Sequence, residues 1–190
     1  MAEIRAAGVI ADLGSGAGLP GLVLAAALPG AHVVCVESAR RKADWIRATA
    51  GRCGLGNVDA VWSRAEEWHE GLGACDVVTA RALAALPVLC EYAAPLLRPG
   101  GALVCWKGEV EPGEAAAGEA AARFLGLSEP AVLRVCPYPG SERRTLWVFR
   151  RVGDLPPGFP RRPGMATKRP LGAGGSAPNP PGPPVASQAR

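Results

Sequence analysis

Asp12-Leu13-Gly14-Ser15-Gly16-Ala17-Gly18-Leu19-Pro20-Gly21 lies between two apolar runs, Gly8-Val9-Ile10-Ala11 and Leu22 to Leu28. Four glycines within ten residues remove the side chains that would hold backbone away from a ligand. The stretch therefore reads as the sharp turn from a buried strand into a helix, with a cofactor against the loop. Pro20 suits the first turn of that helix, where a missing N–H leaves no bond unmade.

Outward from the loop, the pattern keeps alternating. Helix 20–28 ends at Pro29-Gly30, and Ala31 to Val36 forms a second strand that stops at the acid Glu37. Ser38 is placed to cap a helix over 39–53, with Ala43, Ile46 and Ala50 on one face. Asn57 to Trp62 predicts a third strand, and Cys75 to Ala80 a fourth that delivers Arg81. A helix over 83–97 leads to a turn at Arg98-Pro99-Gly100-Gly101, and a fifth strand runs from Ala102 to Trp106. Residues 109–125 read as a surface helix. Ala131 to Val135 and Thr145 to Phe149 flank a hairpin-like Pro137-Tyr138-Pro139-Gly140-Ser141. Strand, loop, helix, strand, acid begins a doubly wound nucleotide fold, so the expected class is α/β: a Rossmann-like, mostly parallel sheet with an antiparallel edge hairpin.

Three regions are expected: a Rossmann-like domain over 1–152, a basic extension over 153–171, and a Pro/Gly/Ala-rich tail over 172–190 with no apolar face to bury, expected to be disordered. The net charge of +4 is uneven. Residues 1–150 are close to neutral, and the excess of Lys and Arg lies beyond residue 150, which points to a polyanion partner or to solubility. The six cysteines show no CxxC pair and read as buried thiols of a reducing cytoplasm. With two histidines in the chain, no metal site is expected. No apolar run is long enough for a membrane span and the first residues lack a signal core, so no membrane partner is expected.

The glycine spacing fits a dinucleotide loop as well as an S-adenosylmethionine loop. Asp12 separates the two: a carboxylate beside the loop repels a pyrophosphate and suits the ammonium of an aminoacyl ligand. Glu37 is placed to accept ribose hydroxyls in either case. Ala65 and Glu66 are candidates to border an adenine, although an acid at a helix start also complements the macrodipole. Trp62, Trp68 and Trp106 could stack on bases, but core packing is the commoner use of tryptophan in an apolar chain.

The segments Asp12 to Gly21, Val36-Glu37-Ser38 with Arg41-Lys42-Ala43, Arg64-Ala65-Glu66-Glu67, Val78-Thr79-Ala80-Arg81-Ala82, Lys107-Gly108, and Pro163-Gly164 with Lys168-Arg169-Pro170-Leu171 resemble, in order, the RsmG (GidB) family. That resemblance implies a class I S-adenosylmethionine-dependent fold and methylation of guanine N7 in 16S ribosomal RNA of the small subunit. By it, Gly14, Leu19, Ala65, Glu66 and Arg81 contact the cofactor, together with Asp12, Gly16, Gly18 and Glu37 read from the loop. Members of that family carry a helical segment ahead of the loop, whereas eleven residues precede Asp12 here; a shortened start is the corresponding expectation.

Attack by guanine N7 uses a lone pair already in the ring plane, so no proton must leave first and no general base is needed. Positioning carries the reaction, and Arg81 is the candidate catalytic residue, through a bidentate grip on the cofactor carboxylate or a target phosphate, or through N–H donation to guanine O6. Lys107, Arg161, Arg162, Lys168 and Arg169 are the candidate RNA-backbone contacts. A monomer is expected. A small-molecule methyltransferase and a cofactor-binding protein without turnover are the other two readings.

Overall fold

The computed structural model describes residues 2–172; the expected tail from 173 onward lies outside the described residues. Its elements are α1 (Ala2–Arg5), β1 (Val9–Leu13), α2 (Gly21–Ala27), β2 (His32–Glu37), α3 (Arg40–Arg52), β3 (Val58–Trp62), β4 (Cys75–Arg81), α4 (Leu86–Ala93), β5 (Leu97–Lys107), α5 (Pro112–Phe124), β6 (Ala131–Val135), β7 (Arg144–Arg150) and α6 (Met165–Lys168). Two single 3-10 turns, Ala65–Glu67 and His69–Gly71, join β3 to β4.

The strands form one seven-stranded sheet in the order β3-β2-β1-β4-β5-β7-β6. The pairs from β3 to β5 are parallel, and β7 and β6 add an antiparallel edge. Alternation along the strands divides the core into two layers. Leu13, Val36, Val78, Leu103, Cys105 and Phe149 face α4 and α5. Ile10, Val33, Cys35, Val77 and Val104 face the side of α2 and α3. A parallel sheet is covered on both faces in this way, so its inner strands are largely apolar.

Several boundaries differ from expectation. The helix expected over 83–97 occupies only Leu86–Ala93, because Ala82 has φ 54° and Leu97 already pairs with Cys75. Arg98 to Gly101, expected as a turn, are a bulge inside β5: Cys75 pairs with Leu97, but Val77 pairs with Ala102. Ser38 does not cap α3; the cap position is Ala39, whose N–H is taken by the Glu37 side chain at 2.9 Å. Cys53 and Cys136 are exposed, whereas the other four cysteines are buried as expected. Trp62 is exposed, because β3 is the edge strand and little lies outside it.

The basic extension is part of the same body. Leu155 and Phe159 pack against the layer under α4 and α5, Phe124 and Phe159 meet edge to face at 6.0 Å, and Leu171 is buried. Among the described residues no helix is long and apolar enough to cross a membrane.

Candidate cofactor site

The parallel register brings the carboxyl ends of β1, β2, β3 and β4 to one edge: Leu13 pairs with Val36 and with Ala80, and Glu37 with Trp62. In open parallel sheets ligands bind outside that edge, where the strand order reverses. Here the reversal lies between β1 and β4, at the glycine loop.

The loop is held by its own backbone. Gly14 N–H donates to Val36 O at 2.9 Å, Gly18 N–H to Ser15 O at 2.8 Å, and Ser15 Oγ to Asp12 O at 2.7 Å. Gly14, Gly16 and Gly18 have φ of 62°, 59° and 94°, which side chains resist. A Cβ at Gly14 would stand 2.5 Å from Leu83 Cδ1, while one at Gly16 would meet nothing nearer than Gly14 O at 3.8 Å. Space over Gly16 is therefore open to a ligand.

Glu37 joins the loop to α3. One carboxylate oxygen accepts Gly16 N–H and the other Ala39 N–H, each at 2.9 Å. Each oxygen keeps further acceptor capacity, which suits a ribose diol. Asp12 is fully buried; Oδ2 accepts Gly21 N–H at 2.9 Å, while Oδ1 has no partner. Burial pushes its carboxyl up to about 6, against the lowering effects of the Gly21 N–H, Ser15 and Arg81, with Glu37 adding a further rise. A buried acceptor that finds no donor among the described residues fits a cationic ligand group. The acceptor set, an acid placed for ribose hydroxyls and an unpartnered carboxylate, with no cation on the loop, matches S-adenosylmethionine.

The remaining candidates divide. Leu19 is exposed on the loop, Ala65 opens the 3-10 turn after β3, and Arg81 ends β4 in solvent with no ion-pair partner among the described residues. Glu66 is nearly buried, and its Oε1 accepts the N–H of Gly164 at 2.9 Å. Two of the expected RNA contacts have partners within the fold. Lys107 pairs with Glu114 at 2.6 Å and donates to Ala84 O, and Arg161 forms a bidentate pair with buried Glu91. Both cations are held by acids of the fold. Arg162, Lys168 and Arg169 remain exposed.

Sequence reasoning missed Leu83, which roofs Gly14, and the reach of Gly164 to Glu66. An apolar residue directly after Arg81-Ala82, outside any helical period, was the available signal for the first. The second has none, since its partners are far apart in the chain.

Residues 1–137 match the family described as GidB, rRNA small subunit methyltransferase G. The chain belongs to this family. It is 44% identical over 178 residues to the ribosomal RNA small subunit methyltransferase G of Rubrobacter xylanophilus, covering 90% of this chain and 68% of that one. It is 41% identical over 165 residues to the same-named protein of Pelotomaculum thermopropionicum, with coverage of 84% and 68%. Among solved structures, the S-adenosylmethionine-dependent methyltransferase SibL in its apo form aligns with a TM-score of 0.66 at 15% identity, over 80% of this chain and 52% of that one. An O-methyltransferase of Thermotoga maritima aligns at 0.62 and 16%, over 80% and 62%. The fold is that of S-adenosylmethionine-dependent methyltransferases, and S-adenosylmethionine is the cofactor of this GidB chain.

Proposed function

We propose that the chain transfers a methyl group from S-adenosylmethionine to N7 of a guanine in 16S ribosomal RNA of the small subunit, in the cytoplasm. The observation that carries the reading is the end of β4. Thr79-Ala80-Arg81-Ala82 brings an exposed guanidinium, without an ion-pair partner among the described residues, to the carboxyl edge, and this run contains no acid, imidazole or thiol. A strand end that carries no base suits a nucleophile that has no proton to lose.

When bound, the cofactor supplies an electrophilic methyl on its sulfonium. Asp12 offers the buried Oδ1 toward the ammonium, Glu37 accepts from the ribose, and the open face of Gly16 lets backbone approach. Arg81 grips an oxyanion at the same edge, which is the cofactor carboxylate by the family resemblance. These contacts fix the line of attack, and orientation of this kind removes much of the entropic part of the barrier. Arg162, Lys168 and Arg169 meet RNA backbone through charge alone.

The test supplies cofactor with a labelled methyl to small ribosomal subunits lacking this modification, followed by strand scission specific for N7-methylguanine. Label at a single guanine N7 supports the proposal. Label only in a small metabolite would support the small-molecule reading, and cofactor binding without any transfer would support a protein without turnover.

A further inference from the structure

Residues 161–171 cross the face of α4 as a strap held at five points. Arg161 Nε donates to Glu91 Oε1 at 2.6 Å, and its Nη2 bonds both Glu91 Oε2 and the carbonyl of Arg169. Tyr92 Oη and Thr167 Oγ1 share a hydrogen bond of 3.3 Å, Ala166 and Leu171 are buried, and Gly164 N–H reaches Glu66 at 2.9 Å. The Arg161 guanidinium thus closes the segment 161–169 into a ring, and Gly164 sits inside it in the left-handed region at φ 78°.

The Glu91 side chain is 3% exposed and that of Arg161 18%. A pair this buried is seldom the most stable filling of its site, since apolar residues of equal volume do as well. What it does supply is one fixed geometry. Removing either partner strands the other and takes away one of the strap's five anchors. The consequence lands on Glu66: with the strap docked, Oε1 is fixed by Gly164, and Oε2 makes no hydrogen bond among the described residues.

We propose that Arg161 and Glu91 are positioning residues for the cofactor pocket: their pair docks the strap, Gly164 then orients Glu66 toward the cofactor, and the exposed Arg162, Lys168 and Arg169 on that strap couple RNA contact to cofactor affinity. This rests on the reading that Glu66 borders the cofactor. Coupling of this kind is reciprocal: whatever factor the docked strap adds to cofactor affinity, cofactor adds to strap docking.

Hydrogen exchange of the full chain, with and without saturating S-adenosylmethionine, tests the coupling without a substitution. Slower exchange across 161–169 in the presence of cofactor supports it; unchanged exchange there, with cofactor bound, overturns it. A paired replacement, Arg161→Met with Glu91→Leu, keeps the site filled while removing the directional bonds, and should weaken cofactor binding about tenfold by calorimetry. Arg161→Lys, which retains a charge pair, should recover part of that loss. Equal cofactor affinity in the folded double variant and in wild type would sink the proposal. Guanine-N7 methylation by a wild-type chain whose strap ignores the cofactor would refute this coupling alone, whereas a strap protected by cofactor without any rRNA methylation would refute the function and leave the coupling standing.

Discussion

Asp12 and Gly21 meet across the base of the glycine loop: Oδ2 of Asp12 accepts the Gly21 N–H at 2.9 Å, and a Cβ at position 21 would stand 2.8 Å from that oxygen and 2.5 Å from Cys35 Sγ. All three groups are buried. The contact ties the end of β1 to the start of α2, so the loop between them has little freedom.

Gly21→Ala should therefore destabilise the protein by about 1–3 kcal/mol, the usual cost of forcing a methyl into a filled interior. Gly51→Ala is the control, since a Cβ there meets nothing within 4 Å and Gly51 lies inside α3. That change should stabilise by roughly 0.5–1 kcal/mol through helix propensity. Urea midpoints of the two variants, moving in opposite directions, check both.

The raised carboxyl of Asp12 makes a pH prediction of definite sign. Its folded value, about 6, lies above the ordinary 3.8, so the folded state holds this proton more tightly than the unfolded state does. Stability from this group is then greatest at low pH and is lost as pH rises through that interval. Between pH 5 and 7.5, wild type should lose stability, on the order of 1 kcal/mol, relative to Asp12→Asn, which cannot ionise. Chemical denaturation of both proteins at the two pH values measures the difference, and parallel behaviour would refute the assignment.

The five basic residues expected to meet RNA should separate into two classes. Arg161→Ala strands Glu91 in the interior and should cost roughly 3 kcal/mol of stability. Arg162, Lys168 and Arg169 are exposed, so their replacement by alanine should leave the melting temperature nearly unchanged. Each replacement should instead lower the salt slope of RNA binding by roughly 0.7–0.9 for every phosphate that the native side chain neutralises. Melting curves and filter binding across a salt series distinguish the classes.

That division marks where sequence stops being informative. The loop, Glu37 and the end of β4 were legible because a strand-helix-strand unit fixes local geometry, so Glu37 returns beside Gly16 across a single crossover. The inner parallel strands were legible from short apolar runs that are largely buried on both faces, and β3 from its alternation alone. Arg161 reads like its neighbour Arg162 in sequence; only Glu91, seventy residues earlier in the chain, turns it inward. Lys107 is likewise decided by Glu114, from the next helix. The bulge at Arg98 to Gly101 was misjudged because a turn-like Pro-Gly-Gly composition serves equally to kick a strand out of register.

Ala82 carries the last prediction. It is the one non-glycine residue with positive φ among those described, at 54°, and it directly follows Arg81. An alanine held there costs of order 1 kcal/mol, a strain that the fold tolerates in turning the chain away from β4 behind the guanidinium. Ala82→Gly removes the cost and should raise stability by up to about 1 kcal/mol. The same change frees the backbone that aims Arg81, so methyl transfer should fall while cofactor affinity changes less. Arg81→Lys should lose activity more severely, because an ammonium cannot make the bidentate grip of a guanidinium. Denaturation midpoints, cofactor titration and single-turnover methylation on the three proteins decide it: a glycine variant both more stable and fully active would show that the strain at Ala82 has no part in placing Arg81.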